Sequence, residues 1–297
     1  MGLNVALLIF VIITWGYSWV LMKIGLDFME PFTLATWRCA LGGLCMLPFL
    51  YGKWAYLPKG RKWLDYAIVG FFQTTAMFGF MLYGMKFVTA GKTAVLLYTM
   101  PIWTSLLVHF YLKERLDSSK WLGVAIGSLG ILCILGWDTI VHQDLEILTG
   151  EFLIILGAIS WAMANIWVRR RMFDEDSYVV NGLQMLIGTG GLAFLSIPTV
   201  GLFKVEITWV SVGVILFTGL VASAINFTIW FYLIRKLDIN TATFSSMLVP
   251  VFGLIFDWLQ LGNRLDIGVM VGGALILLGI YQVSNQRRPY PSQAEIR

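Results

Sequence analysis

Residues 90–131 and 239–280 are two copies of one pattern, and this duplication restricts the possible folds more than any other feature of the chain. The first copy reads AGKTAVLLYTMPIWTSLLVHFYLKERLDSSKWLGVAIGSLGI, the second INTATFSSMLVPVFGLIFDWLQLGNRLDIGVMVGGALILLGI. A shift of 149 residues carries Pro101 onto Pro250, Arg115-Leu116-Asp117 onto Arg264-Leu265-Asp266, Gly123 onto Gly272, and Leu129-Gly130-Ile131 onto Leu278-Gly279-Ile280. Each copy is an apolar stretch with a proline near its middle, a short charged turn, and a second apolar stretch rich in small residues. Both copies are apolar enough to enter a bilayer, so the duplication predicts a transporter built from two related halves.

Of the 297 residues, 58% are hydrophobic and 13% charged, against roughly 25% charged in a soluble domain. A bilayer-crossing helix needs roughly 20 mostly apolar residues. Ten stretches qualify: 3–24, 31–50, 64–86, 90–112, 119–137, 150–169, 178–200, 209–234, 238–261 and 266–285. The largest connections, 51–63 and 138–149, are too short to fold as a soluble domain. The N-terminus is apolar at once and lacks a small-residue cleavage site, so it reads as a retained first span. The polar stretch after Gln286 reads as a disordered tail.

Loop charge sets the orientation. With the N-terminus in the cytoplasm, the cytoplasmic segments hold Lys53, Lys59, Arg61, Lys62, Lys113, Arg115, Lys120, Arg169, Arg170, Arg171, Arg235, Lys236, Arg287, Arg288 and Arg297. The outer segments hold only Lys23, Lys86, Lys92, Lys204 and Arg264. Basic residues concentrate on the cytoplasmic side, so both termini are expected there. The halves, 1–137 and 150–286, have five spans each, and 287–297 is a cytoplasmic tail. Because five is odd, the second half enters the membrane upside down. The expected fold is an all-α membrane protein of ten transmembrane helices in two inverted five-helix repeats, with substrate bound near the midplane.

These residues resemble the drug/metabolite transporter superfamily, EamA type, over nearly the whole chain. The resemblance is carried by Trp15-Gly16 with Lys23 in the first span, Pro31 with Arg38 in the second, and Pro101 in the fourth. Glu114-Arg115-Leu116, Gly123 and Gly130 continue it in the fifth. Trp161-Ala162, Pro250, Arg264-Leu265, Gly272 and Gly279 repeat it in the second half. Asn263 stands where a counterpart of Glu114 would be, so the charged turn is asymmetric. The resemblance implies a ten-helix inner-membrane exporter of amino acids, other metabolites or drugs.

Within the spans, Arg38 reads as the only full charge well away from an end, which makes it a functional candidate. It lies seven residues past Pro31, about 10 Å deep at 1.5 Å per residue. Two roles are open: a structural clamp on a neighbouring helix, or contact with an anionic substrate. A shift of 146, which superposes Trp15 on Trp161, places Gln184 at its equivalent. A tryptophan at mid-span needs a partner for its N–H. With Trp15 and Trp161, the residues Ser18, Tyr98, Asn165, Asn226 and Ser246 form candidate cavity walls; helix–helix packing is the competing role for each. Pro101 and Pro250 each remove a backbone donor and are candidate hinges. The small-residue faces of the fifth and tenth spans suit close packing, as scaffold or as the face of a weak homodimer of an otherwise monomeric protein.

Cys39, Cys45 and Cys133 have no metal or redox spacing. No catalytic residue, metal or cofactor is expected, and the expected partners are a small-molecule substrate and the bilayer, with no nucleic acid. The leading function is secondary transport exporting small amphipathic metabolites by alternating access. A multidrug exporter of hydrophobic or cationic compounds is the alternative, disfavoured because no Asp or Glu reads as lying near mid-membrane. A lipid-modifying membrane enzyme is a further alternative, against which stand the lack of a clustered acid, His or Cys set and of a phosphate-cradling loop.

Overall fold

A computed structural model describes residues 2–53, 56–112, 118–141, 144–172, 174–199, 204–233, 248–264 and 267–284. They form helical rods in one bundle. We label them α1 (Gly2–Gly25), α2 (Pro31–Tyr51), α3 (Lys62–Val69, Gly70–Ala76 and Met77–Gly84 end to end), α4 (Ala90–Leu97 and Met100–Leu112) and α5 (Ser118–Val141). The series continues with α6 (Leu145–Arg171), α7 (Ser177–Ser196), α8 (Trp209–Leu216, Phe217–Ile225 and Asn226–Leu233 end to end), α9 (Leu248–Leu261) and α10 (Ile267–Ser284). Eight rods are long and apolar enough to cross a membrane; α9 and α10, as described, are apolar but shorter. Among the described residues the only β-pairing is one bridge, between Met29 and Val205.

Local sequence explains where most rods start. Pro31 opens α2, where its missing N–H leaves no bond unmade. Thr89, Asp144, Asp176 and Thr208 cap α4, α6, α7 and α8 by accepting from first-turn N–H groups. Thr208 and Ser211 close a reciprocal capping box. Gly262, at φ +68°, takes the left-handed position past the end of α9.

Two departures from regular helix matter. The middle turns of α3 and α8, Gly70–Ala76 and Phe217–Ile225, are π-helical. A π turn bonds five residues back and loosens the carbonyl ladder. The second departure is in α4, which is broken at Tyr98–Thr99 rather than bent at its proline. Pro101 sits in the first turn of the second rod, a position where proline costs no hydrogen bond. Pro250 is likewise near the start of α9 as described, and the residues before Leu248 lie outside the described set.

The closest packing is made by glycines, and it comes in pairs. A Cβ on Gly42 of α2 would lie 2.9 Å from the Ser223 Cβ and 3.3 Å from the Gly219 oxygen in the π turn of α8. A Cβ on Gly188 of α7 would lie 2.4 Å from the Thr74 Cβ and 2.5 Å from the Gly70 oxygen in the π turn of α3. The shift of 146 carries Gly42 onto Gly188, and the shift of 149 carries Gly70 onto Gly219 and Thr74 onto Ser223. The same exchange joins α5 to α10. A Cβ on Gly130 would lie 2.6 Å from the Gly272 oxygen, and one on Gly279 would lie 2.6 Å from the Gly123 oxygen. Small residues let the backbones touch, which is how apolar helices associate where burial from water gives no drive.

Gly188→Val should therefore lower stability by about 1–3 kcal/mol, the usual cost of overpacking. Gly190, two residues on, has nothing within 4 Å of its Cβ position. Gly190→Ala should be neutral or stabilise by up to about 1 kcal/mol through helix propensity. Thermal unfolding of the two purified variants in detergent separates the effects.

Candidate functional site

The sequence-predicted site residues fall into three groups. The first is aromatic. Tyr98, at the break in α4, sets its ring edge-on to Trp161 of α6 at 6.1 Å and to Trp19 of α1 at 6.4 Å. One turn before Trp19, Trp15 donates its Nε1–H to the Ala222 carbonyl in the π turn of α8 at 2.7 Å and meets Phe227 edge-on and Trp230 at a tilt. Ser18 is buried and spends its hydroxyl on the Trp15 carbonyl at 2.7 Å. Asn165 donates to the Met100 sulfur at 3.2 Å, just past the α4 break.

The second group is a matched polar pair. Arg38 is 5% exposed. Its Nη1 donates to the Met22 sulfur at 2.6 Å, its Nε to Ser223 Oγ at 3.4 Å, and its guanidinium lies 4.4 Å from the Phe78 ring centre. Ser223 in turn donates to the Thr218 carbonyl, five residues back, at 2.8 Å. Gln184, the equivalent of Arg38, accepts from Thr74 Oγ1 at 2.6 Å and donates to Asn181 at 3.2 Å. Each second-helix side chain thus meets the π turn of the opposite half. Among the described residues Arg38 forms no ion pair. Its partners are a thioether, a hydroxyl and a ring, not the Trp15, Tyr98 and Trp161 group.

The third group is packing. Asn226 is buried and exchanges hydrogen bonds with Thr14 at 2.9 and 3.1 Å, tying α8 to α1. Ser246 lies outside the described residues.

Arg38 reads in the sequence as the only charge well away from a span end; Glu151 is a second, and Lys92 and Asp257 are buried nearer helix ends. Lys92, counted on the outer side at the start of the span 90–112, is buried and pairs with Glu151 of α6 at 3.1 Å. Glu151 is 0% exposed, and Asp257 of α9 is buried and accepts from Asn263 at 3.0 Å. Glu151 was missed because the sixth span was started at 150. The helix in fact begins at Leu145, behind the Asp144 cap, which puts Glu151 two turns in. Lys23, counted among the outer charges, donates to the carbonyls of Met85, Val88 and Lys86 at 2.5, 2.8 and 3.2 Å. It thereby ties α1 to the connection between α3 and α4. Among the described residues no group of three His, Cys, Asp or Glu side chains could hold a metal.

The two ends of the bundle are clasped differently. At the end that holds Gly25, the Glu206 N–H donates to the Phe28 carbonyl at 2.9 Å, beside the Met29–Val205 bridge. At the opposite end, Lys53 pairs with Asp176, Lys62 with Glu175, and Tyr66 donates to Glu175 at 3.0 Å.

A model of the EamA-like transporter family matches the sequence twice, over residues 3–136 and 148–285. The chain belongs to the EamA-like transporter family. It is 31% identical over 275 residues to an uncharacterized transporter, YoaV, of Bacillus subtilis, covering 92% of this chain and 94% of that one. It is 27% identical over 280 residues to a chloroplastic WAT1-related protein of Arabidopsis thaliana, covering 91% of this chain and 66% of the relative. One solved crystal structure shares the fold, with a TM-score of 0.64 at 18% identity over 96% of this chain and 97% of that one. The protein is therefore a multi-pass membrane transporter of this family.

Asp176 at the clasped end gives a pH test. Burial works against its carboxylate, but Lys53 and the Tyr178 and Val179 N–H groups outweigh that and hold its pKa below the ordinary value. A carboxyl group that is more acidic when folded stabilises the fold fully above its unfolded value near 3.9, and that stabilisation is lost as pH falls through the folded value. Asp176→Asn keeps the cap but gives up the charge, so it should cost about 0–1 kcal/mol at neutral pH, as a partly exposed ion pair does. Asp176→Ala also loses the cap and should cost about 1–2 kcal/mol. Thermal midpoints between about pH 7 and about pH 3 should fall less steeply for both variants than for wild type.

Proposed function

We propose that the protein is a secondary transporter that exports small amphipathic metabolites, amino acids or related compounds, by alternating access. On this reading ten helices cross the cell (inner) membrane as two inverted five-helix repeats, 1–137 and 150–286, with both termini cytoplasmic. The observation that carries it is the paired exchange of contacts. Second helices meet the π turns of the opposite half at Gly42 and Gly188, and fifth and tenth helices meet at matched glycines. Two arrangements of equal kind, one opened at each end, are what such pairing permits, with substrate at the repeat interface. Export as the direction follows the family resemblance.

Arg38 supports the choice of cargo. A buried cation that lacks an ionic partner is costly, and that cost falls when a substrate carboxylate lies beside it. The Phe78 ring lies against Arg38, and the separate group of Trp19, Tyr98 and Trp161 at the α4 break supplies further rings that suit an apolar or aromatic body. Export of cationic drugs is the second reading, and the buried carboxylates Glu151 and Asp257 favour it. Glu151 already has Lys92 and Asp257 already has Asn263, so both have internal partners. The matched glycine faces of α5 and α10 are used within one chain. A weak homodimer through these helices would therefore use their outward residues, such as Leu129 and Leu278, and the protein otherwise acts as a monomer.

Thermal-shift binding of a zwitterionic amino acid and of a cationic analogue of similar shape tests the cargo. Arg38→Lys keeps the charge and loses the planar fork, so affinity for the carboxylate ligand should fall about tenfold while the protein stays folded. Arg38→Gln copies Gln184 and should abolish the preference for the carboxylate ligand. Equal loss of both ligands, in step with lost stability, would make Arg38 a clamp.

A further inference from the structure

We propose that Glu151 is a proton-binding site, and that its occupancy, through the ion pair with Lys92, sets whether the Gly25 end of the bundle is closed or open. The inference rests on the transport reading for its use, since an end that opens is what such a site would govern. Its physical basis is separate. Lys92 and Glu151 are both buried and 3.1 Å apart. Each charge stabilises the other in the low-dielectric interior, and parting them removes that stabilisation.

The pair joins two different elements, one of them broken. Lys92 belongs to the first rod of α4, Ala90–Leu97, which is buried along its whole length and is separated from the second rod by the break at Tyr98–Thr99. Glu151 belongs to the unbroken α6. The first rod is wedged tightly, because a Cβ on Gly91 would lie 2.7 Å from Leu254 Cδ2 and 3.0 Å from Asp257 Oδ2. Thr89 caps it by accepting from the Lys92 N–H at 3.3 Å. Opening this end by swinging that rod would draw Lys92 away from Glu151.

Of the other charges at this end, Asp27, Lys204 and Glu206 are exposed. Lys23 of α1 holds carbonyls of the connection between α3 and α4, and Asp257 and Asp27 are the charges that act on it. Asp257 of α9 has the Asn263 amide. Lys86 pairs with Glu30 at the surface, and Glu146 is exposed one turn before Glu151 on α6. Glu151 is thus the carboxylate whose partner is a cation carried by the broken helix. The arrangement is also one-sided. The repeat shifts place Thr241 opposite Lys92 and Val5 opposite Glu151, so the other half has no such pair.

The step balances simply. As the first rod leaves, the Lys92 ammonium passes into water, and a proton from water at that end forms an O–H bond with the Glu151 carboxylate. On closing, Lys92 returns, the O–H bond breaks, and the proton goes back to water. The open form holds one more proton than the closed form, so acid favours opening, by at most about tenfold in population per pH unit.

Two measurements on the full-length protein in liposomes test this without any cargo. The first is hydrogen–deuterium exchange across residues 90–97, corrected for the intrinsic chemical rate, between about pH 7.5 and about pH 5.5. Wild type should gain up to about tenfold in exchange per pH unit on acidification. Glu151→Gln should exchange fast and independently of pH. If that variant does not accumulate, Lys92→Met/Glu151→Leu removes both charges and should fold with pH-independent exchange. The second is infrared difference spectroscopy, which should show a protonated carboxyl band in acid that either variant lacks. Exchange in wild type that is flat with pH, pH dependence that survives in the double variant, or a carboxyl band that survives Glu151→Gln would each overturn the proposal. Failure to find any exported cargo would sink the transport reading and leave these readouts standing.

Discussion

Backbone contact at glycine is the interaction on which the rest of the structure depends. Gly42 against the π turn of α8 and Gly188 against the π turn of α3 bring main chain to main chain between the halves. Apolar helices in a bilayer gain little from burying side chains that lipid already solvates, so close packing and interhelical hydrogen bonds must hold them together. The π turns serve both purposes. They receive the glycine faces, and their loosened carbonyls and hydroxyls accept Trp15 and contact Arg38.

From that contact the candidate site follows. Because the second helix of each half rests on the third helix of the other, Arg38 and Gln184 fall at equivalent places, one charged and one neutral. The asymmetry breaks an otherwise matched interior and gives it a direction of charge. The buried pair at Lys92 and Glu151 breaks it again at the Gly25 end. The transport reading combines the two, with repeated architecture supplying two arrangements and unrepeated charges discriminating between cargoes and between states.

The sequence made some of this legible and hid the rest for definite reasons. The family, the helical character and the matching of Arg38 with Gln184 were readable because shifts of 149 and 146 superpose residues of like size. The π turns were not, since Gly70–Ala76 and Phe217–Ile225 have no proline or polar signature that distinguishes them from ordinary helix. Pro101 drew attention to the right helix, and the break falls in the turn before it, at Tyr98–Thr99, where Thr99 donates to the Leu96 carbonyl at 2.6 Å. Hydropathy alone placed Glu151 at a span end. The Asp144 cap would have moved the start of that helix one and a half turns earlier and put the carboxylate inside. Asn226 had the composition of a ligand-binding residue and the role of a tie between helices, a distinction made only by its partner, Thr14.

Alternation between two clasped ends is the central claim, and electron–electron resonance distances test it most directly. One spin-label pair at Asp27 and Lys204 reports on the Gly25 end, and another at Lys59 and Asp174 reports on the opposite end; all four positions are exposed. The distances would be recorded in liposomes with and without an amino acid that stabilises the protein. The account predicts two distances for each pair, with the ligand shifting the two pairs in opposite directions. Ends that lengthen together, or a single unchanging distance at both, would contradict it.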